Sequence, residues 1–228
     1  MTLDAWQVKF EHYLQQHFTD GDGAHDIAHF RRVWATAQRI MEPGAAPLTV
    51  LTACYFHDLV NLPKNHPERH LASRFAAQQT LTLLASHFPD FPTALYPDVA
   101  HAIEAHSFSA GITPQSIEAK IVQDADRLES LGAIGLARVF YVSGQLSCPL
   151  FDADDPFARS REPDDKRWAL DHFQTKLLKL PESMQTERGR ALARHNAHYL
   201  VEFMAKLSGE LRGDHDVMDE DILRRFAL

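Results

Sequence analysis

Between residues 117 and 131 the apolar residues Ile117, Ile121, Leu128 and Leu131 recur at spacings of four and three, and the position that completes the series is a carboxylate, Asp124. The period is that of an α-helix with one face turned to a core. A carboxylate on such a face has to be paired, hydrogen-bonded or bound to a metal ion. The chain therefore has to be a helical assembly with a polar feature built into its interior.

The same period runs through the rest of the sequence. Trp6, Phe10, Tyr13, Leu14 and Phe18 mark a first helix, broken at Asp20 to Gly23. A second runs from about Asp26 to Met41, and Pro47 opens a third that carries Leu51, Cys54, Tyr55 and Leu59. Helices follow at Glu68 to Ser86 and Pro97 to His106; Thr113 and Pro114 are placed to cap and open the sixth. Ala133 to Ser143 continues the sixth helix after Gly132, and Lys166 to Leu180, Thr186 to Leu207 and a short stretch from Asp219 to Phe226 complete the pattern. No segment alternates as a strand would. The expectation is an all-α single domain of about eight or nine helices, with its core at about 22–143 and a helical extension at about 164–228. Residues 144–165, rich in Asp, Arg and Pro, read as a long loop to which the sequence assigns no role.

Composition narrows the function. A net charge of -8 in 228 residues, without a basic run, makes polymeric nucleic acid and anionic membrane poor partners. Two cysteines, Cys54 and Cys148, are too few for a disulfide framework. The acidic N-terminus lacks the apolar stretch of a signal peptide, and no apolar run approaches bilayer length; the expected location is the cytoplasm.

Three His-Asp pairs occur: His25-Asp26, His57-Asp58 and His215-Asp216. His215-Asp216 lies in a polar tail and reads as chance. Asp26 suits a helix N-cap, with a supporting role for His25 left open. His57-Asp58 differs in setting, since it ends an apolar helix, with His29 on a helix before it and Asp126 on a helix after it. Taken singly, each has an ordinary account: a core-edge histidine at His29, a helix-end pair at His57-Asp58, a carboxylate paired with Arg127 at Asp126. Together they offer one divalent cation nitrogen and oxygen donors from three helices, without thiolate.

This series, with His29-Phe30-Arg31-Arg32-Val33, Tyr55-Phe56-His57-Asp58-Leu59 and Asp124-Ala125-Asp126-Arg127-Leu128, resembles the HD superfamily of metal-dependent phosphohydrolases and its H…HD…D pattern. The stretches His106 to Gly111 and Gln123 to Ala133 are further similar to a small bacterial YedJ-like subgroup. The resemblance implies a helical HD fold with His29, His57, Asp58 and Asp126 as ligands of one divalent ion (Mn, Mg, Ni, Co, Fe or Zn). It implies hydrolysis of a phosphate ester or anhydride of a small phosphorylated substrate, a nucleotide, by metal-activated water, with room for a homodimer. Asp58 would also orient the water, Lys64 and Arg127 would meet phosphate, and His106 would donate to phosphate or act as a general acid. Asn61 stands where some relatives carry a carboxylate. Asp124, two residues from Asp126, is assigned a supporting place behind the ligands.

Two alternatives stay open. His66, His70, His101 and His106 leave room for a second ion, as in binuclear phosphodiesterases or HD oxygenases; a domain merely stabilised by metal is the other.

Overall fold

The structure, a computed structural model, describes residues 1–18, 26–60, 62 and 66–228. Lys64, Asn61 and His25 lie outside the described residues. Packing divides the chain into two compact units, Met1–Asp126 and Arg127–Leu228. Among the described residues there are ten α-helices, three short 3-10 helices and no strand.

The first unit holds α1 (Leu3–His17), α2 (Ile27–Arg39), α3 (Pro47–Phe56), α4 (Ala72–His87), α5 (Tyr96–His106) and all but the last two residues of α6 (Ile117–Leu128). The helix starts of this unit are fixed in different ways, some local and one not. Asp26 caps α2 by accepting the backbone N–H of His29 at 2.8 Å, so the cap and a candidate ligand belong to the same turn. Pro47 opens α3, whose preceding residue, Ala46, has no side chain to cap with. Its backbone N–H instead donates to Glu118 Oε1 on α6 at 2.8 Å, a contact across 72 residues. The start of α6 differs from the expected Thr113-Pro114. Ser116 Oγ accepts the N–H of Ala119 in the manner of a cap, and the N–H of Gln115, one residue earlier, is held by His101 Nε2 at 2.9 Å.

The buried centre of this unit is aromatic. Phe10 meets Phe56 and Phe88 edge-on at 5.0 and 5.2 Å between ring centroids, and Trp6 meets Phe91 at 5.3 Å. After its first two residues α3 is buried without a break, from Thr49 to Phe56. Its end, where His57-Asp58 lies, is thereby held from every side. A polar network ties the first three helices together: Glu11 accepts from Arg31 at 2.6 Å, Tyr55 at 2.5 Å and Gln7 at 3.1 Å.

The second unit holds α7 (Gly132–Gln145), α8 (Asp171–Thr175), α9 (Glu187–Leu211) and α10 (Glu220–Arg225). The helix expected from Lys166 to Leu180 is reduced to α8 and a 3-10 helix at Leu177–Ser183. The reason is competition for backbone donors. The N–H groups of Ala169 and Leu170 bond the carbonyls of Pro149 and Leu150, and the N–H of Asp164 bonds Asp171 Oδ2 at 2.7 Å. The segment at 144–165 is hydrogen-bonded throughout: Asp152 and Asp155 accept backbone N–H groups at 154, 155, 159 and 160, and Arg161 holds the buried Asp171. Among the described residues no helix is long and apolar enough to cross a membrane.

Candidate metal centre

Four helix termini of the first unit bring the candidate ligands together. His29 lies in the first turn of α2, His57 caps the C-terminus of α3, His106 closes α5, and Asp126 lies near the end of α6. His57 and His106 are held in the same manner. Each ring lays Nδ1 on the main-chain carbonyl three residues back, Cys54 at 2.9 Å and Ile103 at 2.6 Å. A helix leaves its last carbonyls without partners, and the imidazoles supply them. Because a carbonyl only accepts, Nδ1 carries the hydrogen and Nε2 is the nitrogen left to take a proton or a cation.

Those Nε2 atoms converge. His29 Nε2 and His57 Nε2 are 3.2 Å apart, and Asp126 Oδ1 is 3.6 and 3.7 Å from them. Asp58 lies beside this group with its oxygens divided: Oδ2 is 3.6 Å from His57 Nε2 and Oδ1 is 3.5 Å from His106 Nε2. Donor atoms about 2.1 Å from one ion lie roughly 3.0–3.4 Å from each other in tetrahedral or octahedral geometry. The observed spacings are near that range and longer than good hydrogen bonds. Two sets of three donors result, each within 4.8 Å: His29, His57 and Asp126, and His57, Asp58 and His106. Nitrogen and oxygen donors without thiolate suit a hard or borderline divalent ion. The residues present fit such an ion.

The electrostatics agree. Burial pushes the His57 imidazolium down, but the carboxylates of Asp58 and Asp126 outweigh it and raise its pKa to about 9. Burial works against the Asp126 carboxylate, and the close approach and charge of His57, with those of His106 and His29, hold it well below the usual carboxylate range. The two carboxylates thus favour positive charge at this point, as a proton or as a cation. His29 and His57 are 0% exposed, whereas Asp58 and Asp126 are 22% and 27% exposed, so the open side of the centre is the carboxylate side.

The other candidates are placed as follows. Asp124 is fully buried. Arg127 donates from Nη1 to the carbonyl and hydroxyl of Ser183 at 3.0 and 3.1 Å, within the second unit. His101 serves the Gln115 N–H, and His66 Nδ1 accepts from the N–H of Glu68 at 3.1 Å. Sequence reasoning gave no place to Glu118 or Gln123. Both are buried polar residues of α6 whose bonds, to Ala46 and Ala105, join segments remote in the chain.

Comparison with known proteins places this geometry in a family. The HD domain model matches residues 26–131, a span that includes all five residues of the cluster. Over 206 residues the chain is 31% identical to the uncharacterized protein YpgQ of Bacillus subtilis, covering 88% of this chain and 91% of that one. A crystal structure of Bacillus subtilis YpgQ in complex with ADP superposes with a TM-score of 0.68 at 29% identity, covering 92% of this chain and 97% of that one. An HD-superfamily hydrolase from Bacillus thuringiensis superposes with a TM-score of 0.67 at 27% identity, covering 92% and 96% of the two chains.

Proposed function

We propose, from the premise that this chain belongs to the HD-domain family, that it is a divalent-metal-dependent phosphohydrolase acting on a small nucleotide. The observation that carries the reading is the meeting of two fully buried Nε2 atoms at 3.2 Å with a carboxylate oxygen 3.6–3.7 Å from both. A divalent ion bound there supplies Lewis acidity toward a phosphoryl oxygen and makes water a nucleophile at neutral pH. His29, His57, Asp58 and Asp126 would hold it.

The protein's own residues do the rest. The bond from His57 Nδ1 to Cys54 fixes that ring so that only Nε2 faces the centre. The buried histidine side excludes water, and the part-exposed Asp58 and Asp126 leave the approach for substrate on the opposite side. His106, with Nε2 at 3.5 Å from Asp58, stands where a donor to phosphate is wanted. Lys64 is assigned a phosphate contact from its place in the sequence after the His-Asp pair. These two are preferred for phosphate over Arg127, whose Nη1 is committed to Ser183.

A nucleotide is favoured by charge and by kinship. A net charge of -8 disfavours a polyanion, but a nucleoside phosphate needs only an ion and one or two cationic groups. YpgQ, covered over 97% of its length, holds ADP in its crystal structure. The test is a panel of nucleoside mono-, di- and triphosphates offered to the manganese-loaded protein, with orthophosphate and pyrophosphate both measured. Release from at least one nucleotide, abolished by chelation, is expected. Cleavage of a non-nucleotide phosphate ester alone, or oxygen consumption with an organic substrate, would overturn it.

One observation favours a second reading with two ions. The oxygens of Asp58 face different histidines, His57 and His106, as a bridging carboxylate does. Metal content per chain after dialysis decides: one equivalent for the first reading, two for the second.

A further inference from the structure

Gln123 is 2% exposed, and its amide has one partner: Nε2 donates to the main-chain carbonyl of Ala105 at 2.6 Å. Only the amino end can face a carbonyl, so the orientation of the amide is settled and Oε1 points the other way. That oxygen is buried and has no hydrogen-bond partner among the described residues. An unpartnered buried acceptor carries a desolvation cost that a methionine or leucine of similar volume would avoid. Packing alone does not explain a glutamine here.

Its position supplies an explanation. On α6, Gln123 precedes Asp126 by three residues, so the two side chains share a helix face. The carbonyl it holds belongs to the residue directly before His106. The final turn of α5 therefore has two of its otherwise unpartnered carbonyls filled from the centre: Ile103 by the His106 ring at 2.6 Å, Ala105 by Gln123 at 2.6 Å. His106 needs such a hold. Its Nε2 is 3.5 Å from Asp58 Oδ1, too long for a strong bond to fix it from the front.

We infer that Gln123 is a positioning residue: its amide locks the last turn of α5 to α6, and so holds the His106 imidazole in register with Asp58 and Asp126. The inference rests on the phosphohydrolase reading for what His106 does, but not for how His106 is held.

The test combines Gln123→Met, His106→Ala and the double variant in the full chain, with two readouts. The first is the imidazole nitrogen NMR spectrum of the metal-free protein. In the wild type His106 shows the tautomer with hydrogen on Nδ1; in Gln123→Met its signals shift or broaden while those of His29 keep their positions. The second is turnover of the responsive nucleotide. Gln123→Met lowers kcat at least 10-fold with metal affinity within about 3-fold of wild type, and the double variant is no slower than His106→Ala. A residue that only stabilises the fold would add its loss to that of His106→Ala. Unchanged His106 signals, or additive losses, overturn the inference. If the wild type hydrolyses no phosphate compound, the functional reading falls and the NMR readout alone decides the positioning role. Should Gln123→Met not fold, Gln123→Asn, which is too short to reach Ala105, is read in the same way.

Discussion

The His–Asp cluster of the first unit and the Arg161–Asp171 pair of the second are both built from wholly or partly buried ionisable groups, yet their distances differ in kind. Arg161 meets Asp171 through two parallel bonds of 2.5 and 2.8 Å, and the N–H of Asp164 adds a third at 2.7 Å. That arrangement is complete: each charge has its complement and the geometry is bidentate. In the His–Asp cluster the corresponding contacts among His29, His57, Asp58, His106 and Asp126 run from 3.2 to 3.7 Å. Those groups approach one another without closing. A pair that satisfies itself staples a loop. A cluster whose members stand one ion apart can hold something else.

The comparison breaks most sharply at Asp126. Asp126→Asn keeps the volume but removes a negative charge, so metal affinity should fall by more than the roughly 10–100-fold that an outer-sphere partner costs, and turnover with it. The metal-free protein should stay folded, because the residue's contacts are long. Calorimetric metal titration and thermal melts check both halves. Asp124→Asn should harm metal binding less; the reverse order would exchange the roles of the two aspartates.

Asp171→Asn should do the opposite. It leaves the Arg161 guanidinium without its carboxylate and should destabilise the protein by about 3 kcal/mol, the lower end for a broken buried pair because Arg161 is partly exposed. Metal affinity should be unchanged. Denaturant unfolding beside the same titration separates the two outcomes, and a loss of metal binding would show that the closed and open clusters are energetically coupled.

Lys64→Ala sharpens the comparison from the substrate's side. A charge-assisted contact to phosphate is worth about 1.5–3 kcal/mol, so kcat/KM should drop roughly 10-fold or more while metal content stays constant. Unaltered kinetics would mean that the open cluster binds phosphate without this lysine.

The smallest effect is expected at Glu11, a closed network within the first unit. The Arg31 hydrogen bond, opposed by partial burial and joined by Tyr55 and Gln7, lowers the Glu11 pKa from 4.5 to about 2. A carboxylate depressed on folding contributes stability that is fully present above its unfolded pKa and is lost as pH falls from about 4.5 through 2. Glu11→Gln should cost about 1–2 kcal/mol at neutral pH, since Arg31 is half exposed, and should flatten the acid limb of the stability curve. Melts across pH 2–6 measure both.

Much of this architecture was legible because it is local. Helical period and capping chemistry act within a turn, so α1, α2, α5 and α9 lie close to their expected places, with Asp26 and Thr186 as caps. The resemblance of His29, His57-Asp58 and Asp126 to the H…HD…D pattern marked residues that the fold gathers. Other features depend on which segments pack together. The expected helix at Lys166 to Leu180 failed because the carbonyls of Pro149 and Leu150 captured the N–H groups of Ala169 and Leu170, a competition that no local pattern displays. Glu118 completes the start of α3 from 72 residues away, and Gln123 binds the turn that carries His106. The sequence by itself determined an all-helical chain and the order of its donor residues, since side-chain type and period are properties of neighbours. Only the tertiary structure decided that four helix termini meet, which ring nitrogens face inward, and how far apart the charges stand, because those distances follow from packing across the whole unit.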